Sequence, residues 1–281
     1  MTIRDVLQQA VWHLESCGVP EARQSAEWLL AHVLGCGRLE LYMRSRELVG
    51  ESEQTRFLQL LSRRLRREPV AYILGWAPFY EDVFRVTPDV LIPRPETERL
   101  IDVVRAHMSA HPGRILDIGT GSGCLALTLQ RLFPSAEVWG VDISPKALAV
   151  ARQNGDLLAR PVHWVRADVA DRNFLSESPS FDLIVANPPY IPDQERSTLE
   201  PELCYEPPEA LFCGTDPLRY YRLIEKHLPR LLSPGGMLAV EVHAYYGEAV
   251  RNLFCEAGWE AKLEQDYAGQ PRVVWFRRPE R

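Results

Sequence analysis

An Asn-Pro-Pro-Tyr sequence follows an apolar run in the second half of the chain, and its groups could grip an amino group. The run, residues 181–186, is rich in apolar and β-branched residues, which predicts a strand buried on both faces. Pro188 and Pro189 have no N–H to continue a ladder, so the strand ends at Asn187 in a stiff tip. The Asn187 oxygen and the Pro188 carbonyl could both accept from one –NH2 group while the Tyr190 ring packs on its plane. We therefore predict a site for a flat group with N–H donors; an ordinary proline-rich loop is the alternative.

A glycine-rich turn upstream of this tip predicts the second part of the site. It follows a predicted strand, residues 114–118, and precedes a predicted helix, residues 124–133, whose N-terminus points at the turn. Its glycines would let the backbone approach a ligand closely. The turn residues that we predict to hold a ligand are Gly119, Thr120, Gly121, Ser122 and Gly123.

Acidic residues stand at the ends of three predicted strands: Asp117, Asp142 and Asp168. A carboxylate at the position of Asp142 can accept from both hydroxyls of a ribose. Asp168 could accept from the amino group of an adenine. A helix cap or a turn is the alternative role for each of them taken alone. Three acids at consecutive strand ends nevertheless favour a bound nucleoside.

The glycine-rich turn does not by itself identify the cofactor. Gly121, Gly123 and Ala126 match G-x-G-x-x-G/A, and Asp142 lies 21 residues after Gly121, so a dinucleotide site is allowed. S-adenosylmethionine has a ribose, an adenine and a positive sulfur, and it lacks the pyrophosphate that a helix N-terminus would bind. The additional acidic strand ends favour this cation, and we predict S-adenosylmethionine as the cofactor.

The hydrophobic period changes twice along the chain and predicts three segments. Residues 1–75 carry apolar residues at spacings of three and four, which predicts a small helical domain. We expect this domain to dock the substrate. Residues 76–98 lose this period and predict a β-hairpin linker. Residues 99–281 alternate strands and helices, which predicts an α/β, Rossmann-like sheet of seven strands, mostly parallel, with an antiparallel last pair. Its strands are expected at 114–118, 137–142, 162–167, 181–186, 237–242, 259–265 and 273–278, and residues 233–236 are expected to form a turn before the fifth of them.

Composition and charge exclude several classes of protein. The 281 residues contain no run of about 18 apolar residues, which excludes a membrane span, and the N-terminus does not resemble a signal peptide. We therefore expect a cytoplasmic protein. The six cysteines form no C-x-x-C pair, which argues against a zinc site or a disulfide framework. A net charge of −6 argues against direct, sequence-independent binding of nucleic acid. We expect a monomer.

Three further features have a less specific meaning. The first is a cluster of arginines at the end of a predicted helix: Arg63, Arg64, Arg66 and Arg67. A solvated helix face is favoured for them over a docking surface. His243 follows a predicted strand and is expected to be structural, because methyl transfer needs no histidine. Residues 193–217 form a predicted loop of unusual length, which we expect to shape a pocket.

Five motifs together resemble the bacterial release factor glutamine N5-methyltransferases, the PrmC or HemK family. They are residues 117–123, Asp142, the Asn187-Pro-Pro-Tyr190 tetrad, the segment Ile92-Pro-Arg-Pro-Glu-Thr-Glu98 and the Tyr205-Glu-Pro207 loop. The similarity covers nearly the whole chain, the helical segment included. The tetrad alone is less specific, since adenine-N6 and other amino-methyltransferases also carry it.

The resemblance implies transfer of a methyl group from S-adenosylmethionine to the side-chain amide of the glutamine in the Gly-Gly-Gln motif of peptide chain release factors. By position it implies that Gly119–Gly123, Asp142, Asp168 and Val169 hold the cofactor. It also implies that Asn187 contacts both cofactor and acceptor, that Pro188, Pro189 and Tyr190 line the glutamine site, and that the catalytic residues are Asn187, Pro188 and Tyr190. Relatives often carry an aromatic residue where this chain has Val169.

Two other activities stay open at this point. A nucleic-acid adenine-N6 methyltransferase would use the same tetrad, but it would normally bring a basic surface, and this chain is acidic overall. An NAD-dependent oxidoreductase would explain the glycine-rich turn and would leave the tetrad without a role.

Overall fold

The computed structural model of the chain describes residues 1–108 and 111–280, and these form two compact units. The first consists of Met1–Trp76 together with Glu200–Tyr205, and the second of Ala77–Leu199 together with the chain from Glu206 onward. Residues 109, 110 and 281, which belong to the predicted segment 99–281, lie outside the described part. Within that part, no helix combines the length and the apolar character that a membrane crossing requires.

The first unit is helical, as its apolar spacing predicts. Thr2 and Asp5 cap the first helix reciprocally, because each side chain accepts the backbone N–H of the other residue. Leu14, Leu29 and Phe57 are almost fully buried where the helices meet. The helices are α1 Ile3–Ser16, α2 Ala22–Leu34, α3 Arg38–Met43, α4 Glu51–Leu65 and α5 Val70–Leu74.

The arginine cluster after α4 is engaged inside this unit. Arg64 is only 4% exposed, and it donates to Glu202 Oε1 at 2.8 Å, while Arg67 donates to Glu202 Oε2 at 2.6 Å. Arg63 pairs with Glu68. Burial would raise the pKa of Glu202, but hydrogen bonds from Arg67 and Arg64 outweigh it and lower that pKa. The interpretation of these arginines as a solvated face is therefore wrong for Arg64, because its charge is taken up by a buried ion pair.

The second unit contains the predicted hairpin and the predicted seven-stranded sheet. The hairpin strands are β1 Trp76–Phe79 and β2 Asp82–Arg85, and a 3-10 helix, Pro95–Thr97, follows them. The sheet strands are β3 Arg114–Ile118, β4 Glu137–Asp142, β5 His163–Arg166, β6 Phe181–Ala186, β9 Leu232–Glu241, β10 Lys262–Gln265 and β11 Pro271–Arg277. Two short strands, β7 Ile191–Pro192 and β8 Phe212–Gly214, pair separately. The helices are α6 Glu98–His107, α7 Cys124–Leu132, α8 Pro145–Leu158, α9 Pro208–Leu211, α10 Arg219–Leu231 and α11 Gly247–Glu256.

The strand order of the sheet confirms the predicted fold class. It runs β10-β11-β9-β6-β3-β4-β5, with β11 antiparallel to both of its neighbours and the other pairs parallel. The side chains of β6 are almost all inaccessible to solvent, since apolar clusters cover both faces of the sheet. The carboxyl ends of β3, β4, β5 and β6 consequently meet at one edge, where ligands bind in open α/β sheets.

Two local predictions are wrong. Residues 233–236, predicted as a turn, lie inside β9, where the pairing with β6 jumps from Phe181↔Leu232 to Leu183↔Met237. Gly235 accommodates this irregularity with a φ of +74°. The predicted loop 193–217 is not structureless, because it contains two 3-10 helices as well as α9 and β8.

Candidate active site

A cavity lies at the carboxyl edge of the parallel strands, with an empty volume of about 910 Å³ including its part open to solvent. It brings together predicted site residues from the ends of four strands. Those that line it are Gly119, Gly121, Asp142, Asp168, Val169, Asn187, Pro188 and Pro189. Thr120, Ser122, Gly123 and Tyr190 are predicted site residues that do not belong to its lining.

Asp142 is held at the end of β4 by the backbone around it. Gly121 donates its N–H to Oδ2 and Ser144 donates its N–H to Oδ1, both at 2.9 Å. Each carboxylate oxygen has a second acceptor site, so the group can still accept from two ligand hydroxyls. Burial raises the pKa of Asp142, and the nearby charge of Glu209 adds to this effect.

The backbone N–H groups of the glycine-rich turn are already engaged. Gly119 and Thr120 both donate to Val141 O, at 2.8 and 2.9 Å, and Gly123 donates to Thr120 O at 2.8 Å. Together with the N–H of Gly121, four of the five turn amides therefore have protein acceptors. A turn whose N–H groups are used in this way does not form the anion-binding nest that a pyrophosphate requires.

Asp117 lies behind this turn and outside the cavity lining, although we expected it to act near the ligand. It is fully buried, and its Oδ2 accepts from Thr120 Oγ1 at 2.6 Å and from the Ala126 N–H at 3.2 Å. Its carboxylate thereby caps the first turn of α7, where an anionic ligand would otherwise bind. Burial raises the pKa of Asp117 to about 7.

The charged side chains that line the cavity have one sign, and one of them, Asp89, pairs with Lys146 outside the lining. The lining contains four carboxyl side chains, Asp89, Asp142, Asp168 and Glu209, and no lysine, arginine or histidine. Because a cluster of like charges in a concave site concentrates its field there, the cavity favours a cationic ligand and disfavours a pyrophosphate.

The cavity lining offers aromatic surface from outside the predicted positions. Val169 supplies no ring, but Phe174 and Tyr220 belong to the lining. The carbonyl of Val169 is held by Nε2 of His227 at 2.9 Å. Aromatic packing on a flat base is therefore available from two residues that sequence reasoning missed, because nothing in their local spacing indicates that they line this cavity.

The Asn187 side chain is oriented by a residue from the segment before α6. Its Nδ2 donates to Thr97 Oγ1 at 3.1 Å, and Thr97 is buried. With the amide nitrogen directed at Thr97, the Asn187 oxygen and the neighbouring Pro188 carbonyl are the acceptors left for a ligand amino group.

Tyr190 lies outside the cavity lining and anchors the end of the tip. Its hydroxyl donates to Glu241 Oε1 at 3.1 Å, and the Tyr221 hydroxyl donates to the backbone carbonyl of Glu241 at 2.9 Å. Burial raises the pKa of Glu241, which is 1% exposed. Tyr190 thus holds the tip in place through its hydrogen bond to a buried carboxylate, and its ring does not line the cavity.

Glu206 and His243 have structural partners. Glu206 is buried, accepts the Ile92 N–H at 3.0 Å and pairs with Arg94, so it ties the segment before α6 to the chain before α9. His243 lies outside the cavity lining and accepts the Tyr245 N–H at 3.2 Å through Nδ1. Burial lowers the pKa of His243.

Comparisons with known proteins show what the chain is similar to. The family model of the PrmC N-terminal domain matches residues 5–75, and a methyltransferase domain model matches residues 115–203. A release factor glutamine methyltransferase of Geobacter sulfurreducens is 40% identical over 277 residues, which cover 97% of this chain and 95% of the relative. One of Deinococcus radiodurans is 36% identical over 281 residues and covers 99% of each chain.

A likeness to solved structures supports the fold alone. A 16S rRNA methyltransferase of T. thermophilus, solved in complex with AdoMet and guanosine, superposes with a TM-score of 0.51 at 18% identity. The superposition covers 72% of this chain and 49% of that chain.

Proposed function

Because the chain belongs to the family of release factor glutamine methyltransferases, we propose that it methylates the side-chain amide nitrogen (N5) of the glutamine in the Gly-Gly-Gln motif of peptide chain release factors, with S-adenosylmethionine as the donor. The observation that carries this proposal is a single cavity that combines the Asn187-Pro188 tip with four carboxylates and no cationic side chain.

The cavity fits S-adenosylmethionine in its donor groups and its charge. This cofactor supplies a methyl group on a positively charged sulfur. Asp142 would accept from the ribose hydroxyls and Asp168 from the adenine amino group, while Phe174 and Tyr220 offer aromatic surface to the base. The engaged amides of the turn and the acidic lining argue against NAD, whose pyrophosphate would meet negative charge without N–H donors.

The tip positions the acceptor amide for attack. An amide nitrogen is a poor nucleophile because its lone pair is delocalised into the carbonyl. Asn187 Oδ1 and the Pro188 carbonyl would accept from its two N–H groups, turn the nitrogen toward the methyl carbon and favour its loss of planarity as the C–N bond forms. The methyl carbon would leave the sulfur as the C–N bond forms, with S-adenosylhomocysteine as the neutral leaving group, and the nitrogen would then lose one proton to solvent. Neither acceptor has to remove a proton beforehand. Alignment of two reacting groups can lower the barrier by up to roughly 7–11 kcal/mol.

Labelled S-adenosylmethionine tests the activity and its substrate class together. The purified chain is incubated with a release factor, with the same factor carrying Gln-to-Ala in its Gly-Gly-Gln motif, and with DNA. We expect label on the intact release factor only. Label on DNA would favour an adenine-N6 methyltransferase, and a chain that binds no S-adenosylmethionine would overturn the proposal.

Asn187→Ala tests the role of the tip. We expect this variant to retain much of its affinity for S-adenosylmethionine and to lose nearly all turnover, because the cofactor keeps its other contacts and the acceptor loses one of its two. Asn252→Ala, on the exposed part of α11, is the matched control and should behave as the parent. An unchanged turnover number in Asn187→Ala would remove Asn187 from the mechanism.

The proposed substrate also suggests where and how the enzyme works. Release factors act on ribosomes, so we propose that the enzyme acts in the cytoplasm. We further propose that it acts as a monomer, that residues 1–75 dock the release factor, and that it does not need nucleic acid for the reaction. Light scattering on the purified chain checks that it is a monomer. Methylation assays with nuclease-treated components check that the reaction does not need nucleic acid.

A further inference from the structure

The orientation of the Asn187 amide decides whether the tip can hold its acceptor. An amide has an acceptor end and a donor end, and a flipped Asn187 would turn its –NH2 toward the –NH2 of the glutamine. Its Nδ2 contacts Thr97 Oγ1 at 3.1 Å. A hydroxyl both donates and accepts, so Thr97 alone is compatible with either orientation of the amide.

Glu241 decides whether the Thr97 hydroxyl donates to Asn187 or accepts from it. This residue is 1% exposed, and its Oε1 accepts from the Tyr190 hydroxyl at 3.1 Å. Its Oε2 is buried and has no hydrogen-bond partner among the described residues, so it is an acceptor still open to a nearby hydroxyl, and the Thr97 side chain lies close enough to lower the pKa of Glu241. An ionised carboxylate only accepts. A Thr97 hydroxyl that gives its hydrogen to Glu241 can only accept from Asn187.

From this geometry, and resting on the proposed function, we propose that Thr97 and Glu241 are positioning residues that hold the Asn187 amide with its oxygen toward the acceptor glutamine. Glu241 lies at the end of β9 and Thr97 in the 3-10 helix before α6, so two distant segments set the polarity of the tip. The same carboxylate anchors Tyr190, and it therefore holds the tip at both ends.

The ionisation of Glu241 links this arrangement to pH. Burial and the charge of Glu96 raise its pKa, whereas Thr97, Tyr190 and the charge of Arg272 lower it, and burial dominates. A protonated Glu241 can donate a hydrogen bond to the Thr97 hydroxyl. Thr97 can then donate to Asn187 Oδ1, which turns the Asn187 amide so that its –NH2 faces the acceptor glutamine. Turnover at saturating cofactor should therefore fall as the pH drops through the pKa of Glu241.

The first test removes the hydroxyl of Thr97 while keeping its shape. Thr97→Val should lower kcat roughly 10- to 100-fold, in the range typical of a misplaced reacting group. The Kd of S-adenosylmethionine should change less than about threefold, since Thr97 is outside the cavity lining. Thr97→Ser keeps the hydroxyl and should restore kcat to within a few fold of the parent. Thr128→Val is the matched control, because Thr128 is equally buried and its hydroxyl has no partner in the described structure.

The second test changes the carboxylate. Glu241→Gln can donate to Thr97 at every pH, so we expect a lower kcat and the loss of the acid limb of the pH profile. Thermal unfolding and cofactor binding are measured on each variant to confirm that it is folded.

The outcomes separate this inference from the proposed function. If the parent chain does not methylate a release factor, the proposed function fails. If it does, a parent-like kcat in Thr97→Val overturns the inference. Equal losses in Thr97→Val and Thr97→Ser would assign Thr97 a packing role and overturn it too. Should Thr97→Val fail to fold, the comparison of Thr97→Ser with Glu241→Gln decides: an unchanged acid limb in Glu241→Gln overturns the inference.

Discussion

Asp142→Asn tests how the cavity holds the cofactor. In the parent, both oxygens of Asp142 accept a backbone N–H and keep a second acceptor site for the ribose. An asparagine has one oxygen, and its –NH2 must face the N–H of Gly121 or Ser144. Whichever way the amide turns, its –NH2 end cannot accept from a ribose hydroxyl. The variant therefore loses at least one hydrogen bond between the ligand and a charged group, worth about 1.5–3 kcal/mol, which corresponds to a roughly 10- to 150-fold higher Kd.

Isothermal titration calorimetry with S-adenosylmethionine and with S-adenosylhomocysteine resolves two contributions to this loss. The ribose contacts are common to both ligands, whereas the attraction between carboxylate and sulfonium acts on S-adenosylmethionine alone. We expect the Kd of both ligands to rise, and that of S-adenosylmethionine to rise at least as much as that of S-adenosylhomocysteine. Asp156→Asn, an exposed carboxylate on α8, is the control and should leave both Kd values unchanged. Kd values within threefold of the parent for both ligands would refute the assignment of Asp142.

Three further predictions concern buried groups near the site. Asp117 has a pKa of about 7 in the folded state against an ordinary 3.8, so between these pH values only the folded state keeps the proton. The stability of the parent should therefore fall as the pH rises from about 4 to about 7. In Asp117→Asn, the melting temperature should depend less steeply on pH over this range. Glu206→Ala leaves the partner Arg94 unpaired, and because Arg94 is 30% exposed we expect a loss of about 2–3 kcal/mol in urea unfolding, below that of a fully buried pair. Gly140→Ala would place a Cβ 2.4 Å from the Trp164 ring, so calorimetry should show a destabilisation of about 1–3 kcal/mol, and a parent-like melting temperature would contradict this packing.

The parts of the site that the sequence predicts are those encoded by neighbouring residues. A β-branched run that stops at Asn187-Pro188 marks a strand end, and glycines between a strand and a helix mark a close-approach turn. Strand ends of a parallel sheet lie at one edge, so these two motifs had to meet. The structure places both of them in the lining of the same cavity.

The parts that the sequence does not predict depend on long-range pairing. Thr97 contacts a residue 90 positions away, and Glu241 contacts one 51 positions away. Glu202, which neutralises Arg64, lies 138 positions from it. Local periodicity carries no information on such pairs, which explains why the prediction of a solvated face fails for Arg64. The turn predicted at residues 233–236 fails for a related reason, since its pairing with β6 absorbs the irregularity into a strand.

Three carboxylates at or near the carboxyl ends of β3, β4 and β9 show that residue type alone does not assign a role. Asp117 caps a helix behind the glycine-rich turn, Asp142 faces the cavity with free acceptor sites, and Glu241 lies behind the tip and receives hydroxyls. Burial raises the pKa of all three, so this shift does not distinguish them. Their partners do. Only Asp142 combines a place in the lining with acceptor sites left over, and the two others act on a ligand through the backbone or the side chain that they hold in place.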